Sequence, residues 1–178
     1  MRHWFLLVAA CAAAVLAAGD AQAQDVKIGF ILPMTGQQQS TGKQEAAAAK
    51  LFMSQQGDTV AGKKVELIVK DDGAVPDNTK RIAQELIVND KVTFLAGFGV
   101  TPAALAVAPL ASEGKTPQIV TAAGTSIITE KSPYIARTSF TLAQSTVPMA
   151  DWAAQNGIRK VVSMVSDYAP GADAEKSF

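Results

Sequence analysis

The chain has 178 residues, with sixteen basic and sixteen acidic side chains and a formal net charge of zero. That balance offers no basic surface to nucleic acid or to an anionic membrane. The only histidine is His3 and the only cysteine is Cys11, so residues 24–178 exclude Ser-His-Asp and Cys-His nucleophilic catalysis, imidazole or thiolate metal sites, and disulfides.

The first element in chain order is an export signal. Met1-Arg2-His3 is positively charged, Trp4 to Ala18 is uncharged and apolar, and Ala21-Gln22-Ala23 has the small-x-small pattern of a signal-peptidase site. Cleavage after Ala23 is expected, giving a signal at 1–23 and a mature chain beginning at Gln24 outside the cytoplasm. Without Arg2 and Asp20, fifteen basic and fifteen acidic residues remain. The apolar run is shorter than the roughly 20 residues of a membrane span, so no direct membrane insertion is expected after cleavage. Val8-Ala9-Ala10-Cys11 also resembles a lipidation box, but it sits too early in the apolar run, and ordinary cleavage is the preferred reading.

From residue 24 onward apolar strands alternate with amphipathic helices. Val26 to Leu32 reads as a strand buried on both faces. A polar loop over 33–40 follows, then Thr41-x-x-Gln44, the spacing of a capping box, opening an alanine-rich helix to about Gln55. A second strand is predicted over 65–70, closed by Asp71-Asp72-Gly73. The next helix begins at Pro76-Asp77-Asn78, with Ile82, Leu86 and Ile87 on one stripe. A third strand over 92–96 leads into Gly97-Phe98-Gly99. Thr101-Pro102 reads as a hydroxyl cap followed by first-turn proline, with a kink expected near Pro109. A fourth strand over 118–121 ends in Ala122-Ala123-Gly124-Thr125-Ser126. Alternation of this kind predicts an α/β fold with a doubly wound parallel sheet.

Tyr134 to Thr138 is predicted extended, and a linker between lobes is placed near 138–142. Beyond it come a helix over 142–156 stopped by Gly157, a buried strand over 160–166, a loop over 167–171 and a helix from Ala172 onward. The predicted organisation is a first lobe over 24–140 and the incomplete start of a second over 141–178. That second piece is below the roughly 40 residues usually needed for a self-sufficient core.

Ligands of open parallel sheets bind outside the carboxyl ends of the strands, where helix N-termini present unpaired amides. The loops there are 33–40, 71–79, 97–101 and 121–126. Lys27-Ile28-Gly29-Phe30-Ile31-Leu32-Pro33-Met34-Thr35-Gly36, Asp71-Asp72, Ala96 to Pro102, Ala122 to Thr125 and Asp167 to Asp173 together resemble the branched-chain-amino-acid-binding family of ABC-transporter receptors, of the type 1 periplasmic binding protein fold. The resemblance runs from Val26 to Phe178. It implies a two-lobe receptor that closes on a small carboxylate or amino acid and docks on an inner-membrane ABC permease, without catalysis or a cofactor. It also implies that Thr101 bonds the ligand carboxylate as a capping hydroxyl, that the Ala123 backbone participates, that Thr125 supplies amide and hydroxyl, and that Tyr168 covers the ligand from the second lobe. Some family members place an aromatic residue near Thr41; residues 37–41 are polar here, which leaves an aromatic or aliphatic carboxylate as eligible as leucine. With half the clamp, this chain alone is expected to bind weakly or not at all.

Other motifs are weaker. Asp71-Asp72 could bind a metal or serve an exported enzyme, but adjacent acids at a strand end usually cap or face solvent. Pro102 replaces the third glycine of a dinucleotide fingerprint, and neither Gly36 to Lys43 nor Gly114-Lys115-Thr116 has the spacing of a phosphate loop. Trp152 reads as a helix anchor. A sensory lobe serving a signalling partner is the alternative binding function.

Overall fold

A computed structural model describes residues 25–178; the predicted signal sequence, its predicted cleavage site and Cys11 lie outside the described residues. Strand β1 (Val26–Leu32) leads to helix α1 (Gln39–Gln56), then to the hairpin strands β2 (Thr59–Val60) and β3 (Lys63–Asp71). Helix α2 (Pro76–Val88), β4 (Phe94–Gly97), α3 (Thr101–Glu113) and β5 (Gln118–Val120) follow. A 3₁₀ turn (Ser126–Glu130) precedes β6 (Ile135–Arg137), and α4 (Leu142–Gln155) and α5 (Ala169–Ser177) close the described chain.

The sheet order is β2-β3-β1-β4-β5-β6. Every pairing is parallel except β2 with β3, so the predicted doubly wound α/β sheet is present. Ala61 and Gly62, both at positive φ, form the two-residue turn that joins β2 to β3, as a right-twisted hairpin requires. Sequence reading missed that hairpin and the 3₁₀ turn. β1 is buried on both faces as expected: Ile31 joins a core with Leu86, Leu95, Phe98, Val107, Val120 and Ile128. Phe30 and Leu32 point the other way, toward Ala46 of α1.

Several expectations need correction. Helix α1 starts at Gln39 with Gln38 as an unbonded cap, because the turn closed by Gly36, at φ +76°, runs straight into the helix. Thr41 is therefore inside the helix, and Gln44 bonds Ser40 rather than a cap. The capping box lies instead at Thr141 and Gln144, which exchange both bonds at the start of α4. Thr101 does not cap α3: Val100, in extended conformation, does, and Thr101 is the first helical residue. The predicted buried strand at 160–166 is absent. Val162 and Met164 are almost fully exposed, at 96% and 98%, since no described strand lies alongside for them to pair with. α5 begins at Ala169 rather than Ala172, a start that Pro170 tolerates in the first turn.

Candidate ligand cleft

Among the parallel strands the winding reverses between β1 and β4: the chain moves from β1 outward to β3, then crosses back past β1 to β4, β5 and β6. A crevice opens outside the carboxyl ends of two strands at such a reversal. Two loops meet there. Gly99 lies so close to Pro33 that a Cβ would stand 2.6 Å from the proline ring, so glycine is what lets the loops after β1 and β4 touch. Gly97, at φ +110°, turns the chain out of β4, where a Cβ would fall 2.1 Å from the Ile31 carbonyl.

A cleft of about 250 Å³ occupies this place, lined by Gln38, Thr41, Gly99, Thr101, Ala123 and Tyr168 among others. It adjoins a wider hollow of about 590 Å³ that shares Gln38, Val100 and Tyr168. Thr101 and Thr125 are both buried, and their hydroxyls lie 2.6 Å apart. Among the described residues, the amides of Gly99, Val100, Thr101 and Ala103 find no acceptor. The mouth of α3 thus offers unpaired N–H groups and the positive end of a helix dipole beside a hydroxyl pair. Such a site suits a carboxylate held by hydrogen bonds.

Three of the four predicted residues, Thr101, Ala123 and Tyr168, line this one cleft. Thr125 stands behind Thr101, bonded to it. The Ala123 amide donates to the Phe98 carbonyl at 3.0 Å, and its own carbonyl accepts from Arg137 Nε at 3.2 Å. Tyr168 is 44% exposed at the rim. Trp152 is 59% exposed, on the surface of α4.

Sequence reading missed Arg137 and Asp173. The Arg137 guanidinium binds the carbonyls of Ala123 and Thr125 from behind. Burial lowers its pKa, and the nearby Asp173 partly opposes that. Asp173, on α5, accepts from both the amide and the hydroxyl of Ser126, at 2.9 and 3.0 Å. The loop over 122–126 therefore already holds one carboxylate, belonging to the chain itself. A lone arginine at a strand's carboxyl end was the available signal; nothing local marks Asp173.

The paired acids are structural. Asp71 accepts from the amides of Met34, Thr35 and Gly73 and from the Thr35 hydroxyl, tying the loop after β1 to the loop after β3. Burial alone would raise its pKa, but the bonds from Gly73, Thr35 and Met34 outweigh it and hold the carboxyl below its usual value. Asp72, fully buried, accepts from the Ala74 amide and the Thr79 hydroxyl at the start of α2. Among the described residues no group of three or more Asp, Glu, His or Cys could hold a metal. A larger apolar hollow of about 670 Å³ lies toward the amino ends of β1 and β3, lined by Val26, Ile28, Phe52, Val65 and Phe94 among others. Lys63 is the one charged residue of its lining, in contrast to the hydroxyls and amides of the cleft at the winding reversal.

Hydrogen-bond donors gathered at the winding reversal of a doubly wound lobe suit the binding of a small ligand. The family model described as periplasmic binding protein matches residues 25–178, and the chain belongs to that family. Leu/Ile/Val-binding protein homolog 6 of Brucella abortus is 44% identical over 164 residues, covering 92% of this chain and 42% of that protein. An ABC-transporter solute-binding protein from Rhodopseudomonas palustris BisB5, solved in complex with 3,4-dihydroxybenzoic acid, is 67% identical with a TM-score of 0.84. The match covers 86% of this chain and 42% of that one. A counterpart from R. palustris HaA2, in complex with p-hydroxybenzoic acid, is 48% identical with a TM-score of 0.82 over the same shares. The chain spans about 42% of the length of these relatives.

Proposed function

We propose that this chain forms the first lobe, over 24–140, and the start of the second, over 141–178, of a periplasmic receptor for an ABC importer. All six strands among the described residues fall between Val26 and Arg137, which supports that division. The receptor captures a small carboxylate by closure of two lobes and delivers it unchanged to an inner-membrane permease. The observation that carries this reading is the Thr101–Thr125 hydroxyl pair at the open mouth of α3. On binding, the Thr101 hydroxyl and the free amides of 99–103 turn to the ligand carboxylate, Thr125 steadies Thr101 from behind, and Tyr168 closes the rim. Closure follows because bonds from both lobes favour the closed state over the open one.

The ligand is an aromatic carboxylate of the hydroxybenzoate kind. Two relatives were solved with such acids. The Ala123 carbonyl, on the cleft, already accepts from a guanidinium. Branched-chain amino acids, named in the Brucella relative, are the second reading. No catalytic step is assigned: residues 24–178 lack histidine and cysteine, and Asp71 and Asp72 are engaged with backbone and threonine donors.

Ligand-observed NMR with 3,4-dihydroxybenzoate, its methyl ester and leucine tests this. The free acid should broaden in the presence of the chain, while the ester and leucine should not. Broadening by the ester equal to that by the acid would overturn the carboxylate grip. Broadening by leucine alone would transfer the assignment to amino acids.

A further inference from the structure

Glu45 sits one helical turn beyond Thr41 on α1, hence on the same face, and reaches the carboxyl end of β5. Its Oε2 is in hydrogen-bond contact with Thr121 Oγ1. That hydroxyl also lies 3.0 Å from the Gly97 carbonyl, which additionally accepts the Thr121 amide at 2.8 Å. Thr121 has one hydroxyl proton and faces two acceptors. If Glu45 is ionised, that proton must go to the carboxylate, and the hydroxyl oxygen is left against the Gly97 carbonyl without a hydrogen between them. If Glu45 is a neutral acid, its own proton goes to Thr121 Oγ1, the threonine proton goes to Gly97, and both contacts are filled. The other oxygen, Oε1, is buried with no partner among the described residues, which costs far more for a carboxylate than for a carbonyl-like acid oxygen.

We propose that Glu45 is a positioning residue that acts as the neutral acid, donating to Thr121 and through it clamping α1 to the carboxyl ends of β4 and β5. Two walls of the cleft are joined by this clamp: Gln38 and Thr41 at the start of α1, and Ala122 to Gly124 in the loop that Thr121 begins. A neutral acid also adds no like charge beside a loop that receives an anion, a consequence that rests on the carboxylate reading above.

Among the described residues, no cation compensates a charge at Glu45. On α1, Lys43 is exposed and bonds Gln39, and Lys50 is exposed. On β1 the only charge is Lys27, at the strand's far end, while β4 and β5 carry none. Asp173 is engaged with Ser126, and Arg137 with the carbonyls of Ala123 and Thr125. Desolvation accordingly raises the Glu45 pKa above its ordinary 4.5, opposed only by the Thr121 bond.

The folded state therefore holds a proton that the unfolded chain releases above about pH 4.5, and stability falls as pH rises from there to the raised folded value. Glutamine mimics the neutral acid, because its amide donates where the carboxyl does. The test is urea unfolding of wild type, Glu45→Gln and Glu45→Ala between pH 4 and 8. Within the window, the folding constant of wild type should drop relative to Glu45→Gln by up to about tenfold per pH unit. Glu45→Ala should lose about tenfold or more at pH 4. Should that variant fail to fold, a carbon-13 titration of the Glu45 carboxyl in wild type decides, with a midpoint above 4.5 expected. A midpoint below 4.5, or a Glu45→Gln variant as weakened as Glu45→Ala, would overturn the proposal. None of these measurements uses ligand, so their failure is separate from failure of the receptor reading.

Discussion

Replacing Thr101 and Thr125 by valine, singly and together, separates a mutual hydroxyl bond from two independent packing contacts. Each threonine is at most 3% exposed, and among the described residues each hydroxyl bonds only the other. Thr101→Val leaves the Thr125 oxygen buried and unpaired, and Thr125→Val does the same to Thr101; each should cost about 1–3 kcal/mol. In the double variant both polar partners are gone and two methyl groups face each other. Replacing both partners with apolar groups of the same shape is nearly neutral, so its loss should stay below about 1 kcal/mol. Taking each single loss as about 2 kcal/mol, the coupling is about 3 kcal/mol in favour of the pair, at the upper end for contacting side chains. Urea unfolding followed by far-ultraviolet circular dichroism measures all four proteins. With a urea dependence of about 1–3 kcal/mol per molar, each single variant moves its midpoint by roughly 1 M, and the double variant returns toward wild type. The double variant should also stay folded while losing carboxylate binding. A double-variant loss equal to the sum of the single losses would refute the mutual bond.

Two further outcomes follow from the same geometry. Gly97→Ala combines a left-handed backbone with a Cβ 2.1 Å from the Ile31 carbonyl; a loss of about 3 kcal/mol or more is expected, read as a lowered urea midpoint or insoluble expression, and an unchanged midpoint would contradict the turn. Asp71 contributes stability that is full above its ordinary pKa of 3.8 and is lost as pH falls through the lowered folded value, because the unfolded chain takes up the proton first. The stability gap between wild type and Asp71→Asn should therefore close on acidification below about pH 3.8, as thermal unfolding across that range would show.

Where local pattern and tertiary packing agree, the elements were legible. β1, β5 and α2 follow from apolar runs and from Pro76, and the four carboxyl-end loops were placed before any geometry. Signals that depend on which neighbour is present misled. Thr41-x-x-Gln44 has the spacing of a capping box, but the turn at Gly36 starts the helix earlier, while the same spacing at Thr141 is used. Thr101 has the chemistry of a cap, yet Val100 holds that position, leaving the Thr101 hydroxyl for Thr125. The apolar residues over 160–166 promise a buried strand, and burial requires a sheet to join. Arg137, Asp173 and Glu45 act across 12 to 76 residues of chain, through contacts that no window of sequence contains.

Mapping by nitrogen-15 amide shifts, during titration of the chain with 3,4-dihydroxybenzoate, tests the receptor account most directly. Saturable shifts should concentrate at Gly99, Val100, Thr101, Ala103 and Thr125, and the acid should be recovered chemically intact. Shifts confined to the apolar hollow around Phe52 and Val65, or conversion of the acid into a product, would contradict it.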